Sequence, residues 1–400
     1  MKFMHLADLH IGKNVNSYEL IEDQSYILDE ILNISDSNNI NVIVISGDIY
    51  DKKQPSEKAV SLFDNFLTKC STKGKTVIAI SGNHDSDERL NFGSRIFSNN
   101  NLYITGLYSG EVPFVELEDE YGPIYFHMLP FIKASLVKSY YPEEFENEET
   151  NSYQKAVDVA LKHPGLDYKT RNVLLAHQFV AGSTDPLLSD SEDATADVGT
   201  VEKIGTNIFD AFDYVALGHI HIPQQVGRES IRYSGSPLCY SASEITREKS
   251  VPIVEIKEKG DVSIELVPLK PLRKMRKIKG ELSNLISAAR ALDPHERSDE
   301  FGKNGPLEDY IFATLTDEDE VPNSYDKLKD IYPRLMSLTF ENSRTKALAK
   351  AEISDISTDK SFVDLMSDFY KQILGNEIDD EDLACLKEVA KEAGIINETD

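Results

Sequence analysis

The residue types best suited to chemistry fall in five short clusters: Asp8-x-His10, Gly47-Asp48, Gly82-Asn83-His84-Asp85, Ala176-His177 and Gly218-His219-x-His221. Five of the nine histidines lie in them. Carboxylate and imidazole donors suit manganese, iron or zinc better than calcium, and no cysteine joins the set. Residues i and i+2 of an extended chain face the same way. Asp8 with His10, and His219 with His221, can therefore each present two donors to one point. A carboxylate has two oxygens, and Asp48 is read as a bridge between two metal ions. Taken singly, each cluster has a plain structural alternative, such as a turn aspartate or a capping histidine. Their recurrence in one order, each after an apolar run, favours a site.

Those apolar runs are the elements that must position the donors. Residues 2–7, 42–46, 76–80, 173–176 and 214–217 read as buried strands, each ending at a cluster. Helical patterns cover 18–38 and 56–70, the second with Val60, Phe63, Phe66 and Leu67 on one face. Strand and helix alternate, which predicts a largely parallel sheet with helices on its faces and ligands at the strands' carboxyl ends. Shorter strands are expected over 101–130, with an acidic turn around Glu116, Glu118, Asp119 and Glu120. A helix is expected over 152–162 and a long mobile loop beside the site over 181–200. Strands near 231–234, 251–257 and 262–267 are expected to complete a second sheet.

At 400 residues the chain has room for two or three domains. Its formal charge of -27 excludes a simple basic nucleic-acid binder, whose affinity comes from Lys and Arg on phosphates. Three scattered cysteines, Cys70, Cys239 and Cys385, indicate no disulfide framework and fit a reducing compartment. No signal-peptide pattern or membrane-length apolar run is present, so a cytoplasmic protein is expected. The expected organisation is a catalytic domain over 1–270, a small α/β domain over 271–342, a linker over 343–360 and a two-helix tail over 361–400. Lys270, Arg273, Lys274, Arg276, Lys277 and Lys279 form a basic junction that can track a DNA backbone, a solvated linker being the competing reading. In the tail, Phe362, Leu365 and Phe369, and then Leu386, mark apolar faces suited to a partner's groove or to the protein's own core.

The order of the five clusters resembles the calcineurin-like metallophosphoesterases. Asp8-Leu9-His10-Ile11-Gly12, Gly47-Asp48-Ile49-Tyr50-Asp51 with Pro55, Ala176-His177-Gln178 and Tyr233-Ser234-Gly235-Ser236-Pro237 are similar to that superfamily's nuclease branch. The resemblance implies an α/β fold: a two-sheet sandwich flanked by helices, with a small α/β capping domain and a helical tail. It implies one divalent ion on Asp8, His10, Asp48 and His221, and a second on Asp48, Asn83, His177 and His219. Manganese is the first choice, with magnesium, iron or zinc as alternatives. His84 lies beside Asn83 but outside both ligand sets, and is the candidate proton donor to a leaving oxygen. Asp85 would orient His84 or an adjacent loop. Relatives usually carry histidine where this chain has Asp51, so that histidine's role does not transfer. The implied activity is hydrolysis of DNA phosphodiesters, as a double-strand 3′→5′ exonuclease and a single-strand or hairpin endonuclease. The implied setting is an ATP-dependent repair complex, with a homodimer of this chain bound through its tail to an SMC-like ATPase in a heterotetramer. A small-molecule phosphodiesterase of the same superfamily is the alternative, although small substrates need neither the extra domain nor the tail.

Overall fold

Strands buried on both faces read as continuous Val, Ile and Leu runs, and that is how the apolar runs of this chain are used. The structure is a computed structural model. It describes residues 1–146, 153–162, 169–192, 203–292, 305–319, 321–343, 345, 366–367, 378 and 380–392. Two units are distinguished, Met1–Thr314 with Val321–Thr339, and Leu315–Glu320 with Phe340–Asp400.

In the first unit, β1 (Lys2–Leu6), β2 (Val42–Ser46), β3 (Thr76–Ile80) and β4 (Leu102–Thr105) run parallel, with α1 (Ile21–Ser37) and α2 (Glu57–Thr72) as crossovers. A second sheet starts with the antiparallel pair β5 (Phe114–Asp119) and β6 (Gly122–Leu129). Parallel to β6 come β7 (Arg171–His177), β8 (Tyr214–Gly218) and, beyond the short edge strand β9 (Gln224–Val226) in sequence, β10 (Arg228–Tyr233). The hairpin β11 (Ser250–Ile256) and β12 (Val262–Pro268) was expected in this second sheet. It instead returns to the first, where β11 pairs antiparallel with β1. The reason is burial. Val254 and Ile256 enter the core between the sheets, while Val251 and Ile253 enter the core under the helices, a double burial available beside β1.

The layer between the sheets holds Phe3, Val44, Ile78, Phe126, Leu175 and Tyr214, with the Phe3 ring edge-on to Phe126 at 5.3 Å. On the outer face of the first sheet, Ile43 and Ile45 pack with Ile27, Ile31, Phe63 and Phe66. On the other side Leu174, Ala176 and Leu217 pack with Val137 of α5 (Ala134–Tyr140) and Val157 and Ala160 of α6 (Tyr153–Lys162). Helix α2 starts where Ser56 Oγ accepts the Ala59 N–H. Its buried stripe is Ala59, Phe63, Phe66 and Cys70, spacings of four, three and four residues, which leaves Val60 off that face and 46 % exposed. The expected acidic turn is corrected too. Glu116 and Glu118 lie within β5, an edge strand, where charges discourage pairing with another chain.

A three-stranded sheet of β13 (Met275–Gly280), β14 (Tyr310–Leu315) and β15 (Leu335–Phe340) carries α7 (Leu282–Ala291) and α8 (Ser324–Lys329). Within the first unit it is tied to α1: Tyr310 Oη donates to Asp23 Oδ2 at 2.8 Å. Arg273, expected at a DNA surface, is only 9 % exposed, its guanidinium bonded to Asp23 at 2.8 Å and Glu22 at 2.7 Å. In the second unit, α9 (Asp380–Glu392) corresponds to the second tail helix; Leu383 and Leu386 are half-buried, and Val389 is 58 % exposed. The expected first tail helix, with Phe362, Leu365 and Phe369, lies outside the described residues, as does most of the linker. Among the described residues no helix is long and apolar enough to cross a membrane.

Candidate metal centre

The carboxyl ends of β1, β2, β3, β7 and β8 lead into the five clusters, and there the two sheets come close. A Cβ on Gly82 would collide with the Asp48 carboxylate, and one on Gly218 with the Ser46 carbonyl and the His177 ring. The glycines ahead of Asn83 and His219 are thus spacing requirements as much as turn residues. Asp8, His10, Asp48 and His219 all have positive φ, at 54°, 44°, 49° and 105°. Left-handed backbone costs an L-residue about 1–2 kcal/mol, and such strain gathers at functional sites. The two ligand turns are tied together: Asp8 N–H donates to the Gly47 carbonyl at 3.1 Å and His10 N–H to the Asp48 carbonyl at 2.9 Å.

All seven expected ligands converge. His10 Nε2 lies 3.0 Å from His221 Nε2 and 3.5 Å from Asp48 Oδ2. Asp48 Oδ2 is also 3.3 Å from His177 Nε2. Asn83 Oδ1 lies 3.0 Å from both His177 Nε2 and His219 Nδ1. Asp8 Oδ1 accepts the His219 backbone N–H at 2.9 Å, while its Oδ2 is buried with no hydrogen-bond partner. Donor atoms of Asp8, His10 and His221 lie within 4.8 Å of one another, and so do those of Asp8, Asp48 and His177.

Partners behind the rings decide which nitrogen faces inward. His177 Nδ1–H donates to the Ser46 carbonyl at 2.8 Å. Asp51 Oδ1 lies 3.4 Å from His10 Nδ1 and accepts from Lys13 at 2.8 Å. Ser191 Oγ sits 2.6 Å from His221 Nδ1 and 2.6 Å from Glu244 Oε1. Glu244 is fully buried and paired with Lys249 at 2.6 Å, so its carboxylate accepts. The single Ser191 hydroxyl proton therefore goes to Glu244, and Ser191 accepts from His221 Nδ1–H. The inward Nε2 of His221 then presents a lone pair toward the centre, 3.0 Å from His10 Nε2. That arrangement, with an unpartnered buried carboxylate oxygen beside it, fits bound cations.

Burial and neighbouring charges shift the groups of the centre in opposite directions. Burial holds His10, His219 and His221 below the ordinary imidazole value, His219 at about 3. Burial works against charging His177 as well, but Asp48 outweighs it and raises the ring to about 9. Asp48 is correspondingly held well below the carboxylate range, its own burial outweighed by His177, and burial pushes Asp8 well above it.

His84 is half-buried; its Nδ1–H donates to the Asp51 carbonyl at 3.1 Å, and its backbone N–H donates to Asp48 Oδ1 at 2.9 Å. Asp85 accepts from the backbone N–H groups of Ile49, Tyr50 and Gly82 at 3.1, 2.9 and 2.9 Å, so it clamps the Asp48 turn. Burial and then Asp48 raise its carboxyl to about 7. Sequence reasoning missed four supports: Gln24, which donates to the His10 carbonyl at 2.7 Å, and Ser191, Glu244 and Lys249. Glu192, accepting the His221 N–H at 2.7 Å, was missed as well. No spacing motif marks them. Ser191 and Glu192 belong to the described end of the expected mobile loop, which is tethered to the site.

Fold and centre together define a phosphoesterase architecture, and the chain belongs to the calcineurin-like phosphoesterase family, whose model matches residues 1–223. A second model, described as the type 5 capsule protein repressor C-terminal domain, matches residues 271–373. Within the family the chain falls on the SbcD branch. It is 34% identical over 380 residues to SbcD of the nuclease SbcCD from Staphylococcus epidermidis, covering 93% of each chain. A solved dimetal phosphatase from Danio rerio aligns with 68% of this chain and 98% of its own, at 11% identity and a TM-score of 0.36, too slight a likeness to carry an argument.

Proposed function

We propose that the chain is the nuclease subunit of an ATP-dependent DNA-repair complex and hydrolyses DNA phosphodiesters at a two-ion centre. The observation that carries this reading is the set of inward-facing donors at the joined strand ends. It occurs in a chain 34% identical, across 93% of its length, to a nuclease subunit. Asp8, His10, Asp48 and His221 would hold one ion, and Asp48, Asn83, His177 and His219 the other, manganese being the first choice. When bound, such a pair supplies Lewis-acid activation of water and of the phosphoryl oxygens. The protein's part is to orient. Ser191 and the Ser46 carbonyl fix two imidazoles, Asp51 stands 3.4 Å behind the His10 ring, and Asp85 clamps the Asp48 turn. His84, held through Nδ1, would hold a proton for the leaving oxygen. The activities are 3′→5′ exonuclease on double strands and endonuclease on single strands and hairpins.

The partners are DNA, an SbcC-type SMC-like ATPase bound through the tail, and a second copy of this chain. An apolar surface on α2 and on α3 (Asp87–Asn91) and α4 (Ser94–Phe97) supports the homodimer. Phe92 is 82 % and Ile96 69 % exposed there, beside Val60. Lys270, Lys274, Lys277 and Lys279 are exposed and would form the DNA track; Arg273 and Arg276 are paired within the fold. Cleavage of end-labelled duplex and hairpin DNA in manganese, with and without the ATPase, tests the reading. Metal-dependent cutting at ends and hairpins is expected. Hydrolysis of small phosphodiesters with intact DNA would replace it with the small-molecule alternative.

A further inference from the structure

Beside Asn83 and His219 the site opens into a groove of about 690 Å³ lined by Lys53, Phe131, Lys133, Phe179 and others. Its size lies within the range of roughly 300–1,000 Å³ typical of ligand clefts. Two aromatic rings stand against the candidate ligands. Phe131 is edge-on to His177 with ring centres 6.4 Å apart, and Phe179 edge-on to His219 at 6.3 Å. Their backbones are anchored: Phe131 N–H donates to the Ser81 carbonyl at 3.0 Å, and the Phe179 carbonyl accepts the Ile204 N–H at 3.0 Å. Phe131 is half-buried and belongs to none of the three apolar clusters formed by the described residues. A benzyl group placed at a charged centre and left out of the core is an expensive feature unless it meets a ligand.

The charges on the same walls are consistent with an anionic chain. Lys53 and Lys133 are exposed and form no ion pair among the described residues, in a protein of net charge -27. Of the groove's carboxylates, Asp85 is engaged by three backbone N–H groups, and Asp87 accepts the Glu88 N–H.

We infer that this groove is a single-strand subsite: Phe131 and Phe179 stack on unpaired bases next to the scissile phosphate, and Lys53 and Lys133 hold the flanking phosphates. The inference rests on the nuclease reading and goes beyond it by specifying the substrate's local form. Bases stacked within a duplex have no free face to offer a side chain. The subsite therefore takes DNA whose terminal or hairpin nucleotides are unstacked, and does so with little sequence preference, because every base has a π-face.

The test uses the full chain in manganese with end-labelled single-stranded oligonucleotides, each carrying one abasic nucleotide at a successive position. Stacking on an aromatic side chain is worth about 5- to 150-fold per base. An abasic nucleotide beside the cut should therefore raise KM at least about five-fold for the parent chain. The same lesion should have little further effect in Phe131→Ala, and Phe131→Trp should restore the sensitivity. Metal content of Phe131→Ala, measured after dialysis, checks that the centre is intact. Lys53→Gln and Lys133→Gln should each flatten the salt dependence of single-strand binding by about 0.7 in log–log slope. Equal abasic penalties in parent and Phe131→Ala, no penalty in the parent, or unchanged slopes would overturn the subsite. Failure of the parent chain to cut any DNA would overturn the nuclease reading itself.

Discussion

Asp48 presents its two oxygens to different neighbours. Oδ1 accepts the His84 N–H, while Oδ2 lies between His10 and His177, at 3.5 and 3.3 Å. Asp48→Ala should therefore lose both ions on dialysis, as read by elemental analysis; retention of one would count against a bridging role. His84→Ala should keep both ions and lose about 10²- to 10⁴-fold in turnover, the range for general acid catalysis. Ser191 acts one step further out, through the His221 ring. Ser191→Ala should weaken ion binding at the His221 position by about 10- to 100-fold, with Ser191→Thr near the parent. Titration with manganese followed by paramagnetic resonance would measure it, and parental affinity in Ser191→Ala would show the relay to be idle. The candidate ligands were legible in the sequence because histidine is scarce and each donor follows a strand. Ser191, Glu244 and Lys249 were not, since their types are common and the contact is made by the fold between residues 30 positions apart.

At the other end of β7, away from His177, Arg171 joins the two sheets. It is buried and bonds to Asp119, to the carbonyls of Gly122 and Pro123 at the start of β6, and to the carbonyls of Ile256 and Lys257 at the end of β11. Burial raises the Asp119 carboxyl, but Arg171 and the Met1 ammonium together outweigh it and hold the group well below the usual range. A carboxyl lowered by folding stabilises above its unfolded pKa of about 3.9, and that contribution is lost as pH falls. Arg171→Met should cost on the order of 3 kcal/mol at pH 7, seen as a lower urea midpoint. The deficit should narrow toward pH 3, and a deficit independent of pH would discount the Asp119 pairing. Metal content should be unchanged. Strand positions were legible from apolar runs, but sheet membership was not. Periodicity shows that both faces of β11 are buried; it does not show that β1 is the neighbour.

For the whole molecule, the charge of -27 and the apolar surface around Phe92 act in opposite directions on self-association. Phe92→Asp should shift the chain from dimer to monomer in sedimentation, with ion content retained; an unchanged dimer would place the interface elsewhere. The catalytic body was legible as a whole because its motifs recur in order. The basic junction was legible as a change in composition, but not as a strand, because Ile278 is the only apolar residue between Arg276 and Lys279 and gives too short an alternation to read. The return of β11 to β1, with Lys249 just before it supporting His221, also has a consequence in time. His10 and His221 are 211 residues apart, and the last support of His221 arrives with Lys249, which donates to its backbone carbonyl. At about 5–20 residues per second, the ribosome needs on the order of 10–50 s to make the intervening chain. A nascent chain therefore carries scattered donors and no assembled centre, and cutting power emerges only once nearly the whole sandwich has been released.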